Sequence, residues 1–70
     1  MPALKRGDRT QAVITLQQVL RETGDYLGSI DGIFGVQTEA AVRAFQKATN
    51  LVVDGIVGAK TWQLLSLVRR

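Results

Sequence analysis

Two aspartates, Asp31 and Asp54, stand in two copies of one motif and are the residues of this chain best placed to do chemistry. The strings DGIFGVQT and DGIVGAKT share five of eight residues at a constant offset of 23 positions. Two carboxyls could cleave a glycosidic bond if they lay about 5–10 Å apart and one had a raised pKa. Each aspartate instead precedes a glycine in a turn that uses the carboxylate as an acceptor. Such bonds lower a carboxyl pKa and argue against a general acid.

The same motif is a poor calcium loop and a good turn. A calcium loop needs oxygen ligands at alternate positions, where this motif has apolar residues. In a turn, the Asp side chain accepts bonds from backbone N–H groups ahead of it, and the following glycine accepts positive φ. Ile33 and Ile56 should then fill the core after each turn. We interpret the motif as a sharp entry into a helix, with four structural turn residues: Asp31, Gly32, Asp54 and Gly55.

The composition favours one folded domain and gives little support for an enzyme. The chain has 70 residues, 46% hydrophobic and 21% charged, which is typical of a globular domain spanning 1–70 with its core at about 4–68. Histidine and cysteine are both missing. The commonest general base, the thiol nucleophile and the usual zinc ligands are therefore absent. We expect no catalytic residue, no cofactor and no metal site.

Charge and hydropathy limit the partners. The net charge is +3, with basic residues concentrated near both ends, and this fits only weak attraction to polyanions. No apolar run approaches the ~20 residues of a membrane span, so we expect no membrane partner. We find no secretory signal in the sequence, so for a protein acting outside the cytoplasm we expect either that this chain is a domain cut from a longer one or that it is exported by other means. We expect a monomer.

The hydrophobic periodicity predicts three helices joined by two similar loops. The first begins after Asp8 or Thr10, either of which could cap it, and ends near Thr23 because Gly24 can take the left-handed conformation. Its polar face should include Gln17. The second helix spans about 36–49 and the third about 59–68, and a brief pairing of the LVV and SI segments is possible. Buried positions are expected at Thr38, Ala41, Val42, Phe45 and Ala48 in the second helix, and at Trp62, Leu65 and Val68 in the third.

The chain contains four aromatic residues, and each has an expected place. Phe45 lies on the apolar stripe of the second helix and should belong to the core. Phe34 and Trp62 are better explained as core than as a ligand platform. Tyr26 stands in a connector, where a half-exposed ring with its hydroxyl could contact a sugar or a peptide.

Three segments together resemble the peptidoglycan-binding domain family of the small three-helix type, which is appended to bacterial and phage cell-wall hydrolases. They are LKRGDRTQAVITLQQVL, YLGSIDGIFGVQTEAAVRAFQ and LVVDGIVGAKTWQLL, and they extend from about Leu4 to Leu65. The string from Asp31 to Gln46 is the most specific. The resemblance implies an all-α fold, a small closed three-helix bundle in which a loop (DGIxGxxT) plus a helix is repeated.

The resemblance also implies a function: non-catalytic binding of peptidoglycan, through its glycan strand or its stem peptide, to target a hydrolase catalytic domain to its substrate. The expected location is the cell envelope or the exterior of the cell. By resemblance, the ligand should lie in a shallow groove formed by the two repeat loops and the adjacent helix starts. The candidate ligand-binding residues are Tyr26, Asp31, Gly32, Phe34, Gly35, Gln37, Thr38 and Trp62.

Two further classes remain open. A module of this fold could have kept its structure while serving as a protein-interaction or structural domain. Three short helices and a basic isoelectric point also resemble a helix-turn-helix domain. A recognition helix should carry basic or amide side chains along one exposed face. The second helix does carry such side chains, at Gln37, Arg43, Gln46 and Lys47, but Glu39 and several alanines lie among them. This composition argues against nucleic-acid binding.

Overall fold

The helices begin and end close to where the sequence places them. The computed structural model describes residues 3–68, and within them it has three helices: α1 (Gln11–Thr23), α2 (Val36–Ala48) and α3 (Ala59–Val68). Gly24 ends α1 with φ 86°, and Asn50 follows α2 with φ 61°. Both residues thus take the left-handed conformation that closes a helix. No strand occurs in this part of the chain, and the predicted all-α three-helix bundle is confirmed.

The start of α1 differs from the predicted capping arrangement. Thr10 occupies the N-cap position in an extended conformation, but its side chain makes no capping bond. Asp8 is not the cap either. Its carboxylate accepts the backbone N–H of Lys5 at 3.0 Å and closes a turn before the helix. The entry into α1 is therefore fixed by the preceding turn and not by a capping side chain.

The core lies around α1, which packs against both other helices. Val13, Leu16, Val19 and Leu20 of α1 are buried, as the helical spacing predicts. Phe45, Trp62 and Leu65 are also buried, and the predicted burial of Val68 concerns a side chain outside the described residues. The remaining core positions come from the other helices, the loops and the N-terminal segment: Leu4, Tyr26, Phe34, Ala41, Val42 and Val57.

Four predicted positions are wrong, two of them in the same way. Ile33 and Ile56 do not fill the core: they are 40% and 44% exposed, while the residues after them, Phe34 and Val57, are buried. In each loop the Asp carboxylate closes a turn by accepting the N–H group two residues ahead. The residue that faces the core after this turn is therefore the one following the isoleucine, and not the isoleucine itself. Ala48 is exposed at the end of α2, and Gln17 is fully buried instead of lying on a polar face.

The N-terminal segment ties the two repeat loops together. Leu4 and Val57 exchange backbone N–H···O bonds of 3.1 and 2.8 Å. A second short pairing joins Arg9 to Ile33, and Phe34 N–H donates to Asp8 O at 2.9 Å. The expected pairing of the LVV and SI segments is therefore wrong within the described residues: the short pairings join the N-terminal segment to Ile33 and Val57. Within the described residues no helix is both long and apolar enough to span a membrane.

Candidate functional site: two loops held by buried glutamines

The first repeat loop, Asp31–Thr38, is organised by the side chain of Gln17. Its Oε1 accepts the backbone N–H groups of Asp31 and Gly32 at 3.1 and 3.0 Å. Its Nε2 faces the acceptors Asp31 Oδ1, Ile33 O and Thr38 Oγ1 at 3.0–3.1 Å, and Tyr26 Oη at 3.3 Å. One buried amide thus pairs with two backbone N–H groups, one backbone carbonyl and two side-chain oxygens of the loop, and its own polar atoms are satisfied, as burial demands.

The second repeat loop, Asp54–Thr61, is organised in the same way by Gln46. Its Oε1 accepts the Gly55 N–H at 3.0 Å, and its Nε2 donates to Asp54 Oδ1 at 2.9 Å. The same nitrogen lies 3.0 Å from Ile56 O and 3.3 Å from Thr61 Oγ1. The repeated motif therefore needs a partner that lies outside it: a glutamine on the core side of the preceding helix.

Within each loop the aspartate closes the turn and the glycine supplies the geometry. Asp31 Oδ1 accepts the Ile33 N–H at 3.0 Å, and Asp54 Oδ1 accepts the Ile56 N–H at 2.9 Å. Gly32 and Gly55 have φ of 76° and 72°, which a side-chain-bearing residue adopts only with strain. Both aspartates are exposed at the surface, so these carboxylates serve the turn while still facing solvent.

These bonds set the charge state of both carboxylates. The Ile33 N–H, and next the Gln17 amide, hold the pKa of Asp31 below its ordinary value. The Ile56 N–H and the Gln46 amide do the same to the pKa of Asp54, with a smaller effect from the charge of Arg43. A general acid needs a raised pKa near the working pH. Neither carboxylate has one, which argues against glycoside cleavage by this pair.

The lowered pKa values predict an acid-sensitive fold. Both carboxyls bind protons more tightly in the unfolded chain, so their contribution to stability is complete above the unfolded pKa and is lost as the pH falls through the folded values. We expect the Tm of the parent to fall below about pH 4. The double variant Asp31→Asn/Asp54→Asn keeps an acceptor oxygen at each position. Its Tm, measured by differential scanning calorimetry, should fall less steeply than that of the parent as the pH is lowered. Parallel pH profiles for the two proteins would contradict this prediction.

The structure separates the candidate ligand residues into buried and accessible groups. Tyr26, Gly32, Phe34, Thr38 and Trp62 are buried, whereas Asp31 and Gln37 are exposed and Gly35 is half-buried. The expected half-exposed ring of Tyr26 is wrong, since its exposed fraction is 4% and its hydroxyl donates to Ser29 O. A ligand on this surface would meet the tips and backbone of the loops and not the faces of aromatic rings.

Each repeat loop borders a shallow cleft, and the two clefts are lined by equivalent residues of the motif. The first loop cleft has a volume of about 180 Å³ and is lined by Tyr26, Asp31, Ile33, Gly35, Val36, Gln37 and Thr38. Six of these seven residues have their motif counterparts in the lining of the second loop cleft, of about 320 Å³. That cleft is lined by Gln46, Leu51, Val52, Asp54, Ile56, Gly58, Ala59, Lys60 and Thr61.

A third depression adjoins the first loop cleft and shares Tyr26 and Gln37 with it. This side cleft has a volume of about 360 Å³ and lies between the connector before the first loop and α2. Leu27, which is 92% exposed, forms part of its wall. A methyl group on Gly28 would approach Gln37 Oε1 and would lie 2.8 Å from Tyr26 Oη, so the connector packs here only as glycine. Residues 3–68 contain no cluster of three carboxylates suited to a metal ion.

Sequence reasoning missed the two glutamines that build both loops. Helical spacing places Gln17 on a polar face and Gln46 among the residues available to a nucleic acid, yet both are buried. A signal for them exists in the sequence. Each follows a large apolar residue, Leu16 or Phe45, at a core position of the helix that precedes a DGI motif. Removing Gln46 from the exposed set weakens the nucleic-acid interpretation further.

The fold and its paired loops define a small repeat-built helical domain, and comparison with known proteins gives its family. The family model described as "Putative peptidoglycan binding domain" matches residues 9–65. The chain belongs to this family. The match covers all three helices except the last residues of α3 and includes both repeat loops.

Individual relatives agree with the family assignment. The chain is 47% identical over 62 residues to a spore cortex-lytic enzyme of Bacillus cereus, a match that covers 89% of the chain but only 24% of the enzyme. The crystal structure of the SleB N-terminal domain superposes with a TM-score of 0.96 at 42% identity, covering 99% of this chain and 94% of that one. A Burkholderia AP3 phage endolysin gives 0.91 at 46% identity, covering 99% of this chain and 26% of the endolysin.

Proposed function

We propose that this domain binds peptidoglycan without catalysis and targets a hydrolase domain to the cell wall. The observation that carries the proposal is the pair of equivalent clefts, each built on a loop whose polar backbone is fixed by a buried glutamine. A fixed loop lowers the entropy cost of binding a polymer. Membership of the family supports the same conclusion, as do the names of the cortex-lytic and endolysin relatives.

The accessible polar groups indicate how the ligand would be held. Asp31 and Gln37 present a carboxylate and an amide at the first loop cleft, and both groups can bond the hydroxyl and acetamido groups of a glycan. The clefts are shallow, so each should bind weakly. A polymer that offers many sites, and a tether to a catalytic domain, would raise the effective affinity. The domain would then act at the cell envelope or outside the cell.

The test is co-sedimentation of the purified domain with insoluble sacculi. Gln37→Ala should reduce the affinity by about threefold to tenfold because one hydrogen-bonding group is lost from the first loop cleft. Gln18→Ala removes an equally exposed amide from α1, outside all three clefts, and should bind like the parent. Binding through the first loop cleft should also persist at high salt, since that cleft carries no cationic lining residue.

Two outcomes would contradict the proposal. A folded parent that stays in the supernatant would favour the protein-interaction alternative. Clearing of a sacculus suspension by this domain alone would show that it is an enzyme. Trp62 is buried, so its fluorescence reports whether each variant is folded in the binding buffer.

A further inference from the structure

The two loop clefts are copies of one another, but they differ in size and charge. Position by position, the second cleft replaces Val36 by Ala59 and Gln37 by Lys60, while the other four motif residues of the lining are conserved between the copies. Tyr26, which lines the first cleft, has no aromatic counterpart in the second. The second cleft is accordingly larger, at about 320 Å³ against 180 Å³.

The charge difference is carried by Lys60. The first loop cleft is lined by one carboxylate, Asp31, and by no cationic residue. The second is lined by the carboxylate Asp54 and also by Lys60, so it offers a cation that the first cleft lacks. Lys60 is exposed and makes no ion pair with a carboxylate of the described chain, where Arg6 pairs with Glu39 at 3.6 Å. Its ammonium group is therefore available to a ligand.

The lining of the second loop cleft adds apolar surface beside this charge. Leu51, Val52 and Ile56 border the cleft, and Val52 is 78% exposed. A cation beside small aliphatic side chains fits a ligand with a carboxylate and short alkyl groups, as in a peptide of alanine and other small residues. A neutral sugar ring would leave the ammonium without a partner.

We infer that the second loop cleft is a subsite for a stem-peptide carboxylate of peptidoglycan, which the Lys60 ammonium binds. This inference rests on the proposed function and assigns a different part of the ligand to each cleft. The first cleft, which has no cationic lining residue, contacts the glycan, and the second cleft, which has Lys60, contacts the peptide attached to it. The Lys60 contribution is electrostatic and weakens with salt, whereas the hydrogen bonds of the first cleft do not depend on it.

A charge-swap experiment tests this assignment. Lys60→Gln should lower the affinity for sacculi freed of attached anionic polymers by about fivefold at low ionic strength, the upper range for an exposed ion pair. The swap Lys60→Gln/Gln37→Lys keeps the net charge and moves the cation to the first cleft, and it should bind at least as weakly as Lys60→Gln, because it also loses the Gln37 amide. Lys47→Gln removes an exposed charge that lines neither loop cleft and should bind like the parent.

A second measurement identifies the chemical group. Sacculi whose free carboxylates are converted to amides by carbodiimide and glycinamide should bind the parent about fivefold less than untreated sacculi. Their affinity for Lys60→Gln should be unchanged. Equal losses for parent and variant would overturn the inference, as would a swap variant that binds like the parent.

The failures of the two proposals can be told apart. If the folded parent does not sediment at all, the proposed function is wrong and the subsite is wrong with it. If the parent sediments but Lys60→Gln and the parent bind equally, only the peptide-carboxylate subsite is overturned. The inference would also be overturned if removing the attached anionic polymers lowered the affinity of the parent while amidating the stem carboxylates did not. The anion bound by Lys60 would then belong to those polymers.

Discussion

Replacing Gln17 by methionine should lower the free energy of unfolding by about 3–5 kcal/mol, since each buried polar group left without a partner costs ~1–3 kcal/mol. Methionine keeps the length and much of the volume of glutamine, so packing should change little. What is lost is the amide that accepts from Asp31 and Gly32 and donates to the turn. A domain of this size has few kcal/mol to lose, so much of the variant should be unfolded at 37 °C.

The adjacent residue supplies the matched control. Gln18 is exposed on α1, and Gln18→Met should change the free energy of unfolding by less than about 0.5 kcal/mol. Gln46→Met tests whether the second loop depends on its own glutamine in the same way. Urea unfolding monitored by Trp62 fluorescence measures all three. If Gln17→Met and Gln18→Met unfold at the same urea concentration, the buried amide does not hold the loop.

The backbone of this fold is more predictable from sequence than its side-chain environment. Helical spacing and the left-handed residues Gly24 and Asn50 fix the helices to within a residue or so, because these signals are local. The exposure of Ile33 could not be predicted in that way. Its orientation depends on the turn and also on the N-terminal segment, in which Arg9 pairs with Ile33 while Phe34 faces the core. That contact joins parts of the chain far apart in sequence.

The candidate site shows the same limit more strongly. The repeated aspartates and glycines can be found by aligning the chain with itself, and their turn chemistry follows from residue type. Gln17 lies 14 residues before Asp31, whereas Gln46 lies only 8 before Asp54, so no fixed spacing links the glutamines to the motif. Polar residues are mostly exposed, so a buried glutamine runs against the usual expectation. The three-dimensional structure was needed to see that each loop has this partner.

Truncating Phe45 to alanine should cost about 3–5 kcal/mol, the range for a buried aromatic ring, from lost transfer free energy and the cavity that remains. The ring is 3% exposed and belongs to the core cluster that also contains Leu16 and Trp62. Phe45 also lies next to Gln46, so a collapse around the cavity would disturb the second repeat loop. The variant should therefore lose binding as well as stability, and its melting should broaden.

Two further variants separate the loss of volume from the loss of the site. Phe45→Leu keeps most of the buried volume and should cost less than about 1.5 kcal/mol. Val52→Ala removes apolar atoms from a side chain that is 78% exposed, and it should leave Tm nearly unchanged. Calorimetry of the three variants gives the order of their Tm values. Phe45→Ala melting with the parent would show that the ring is not part of the core.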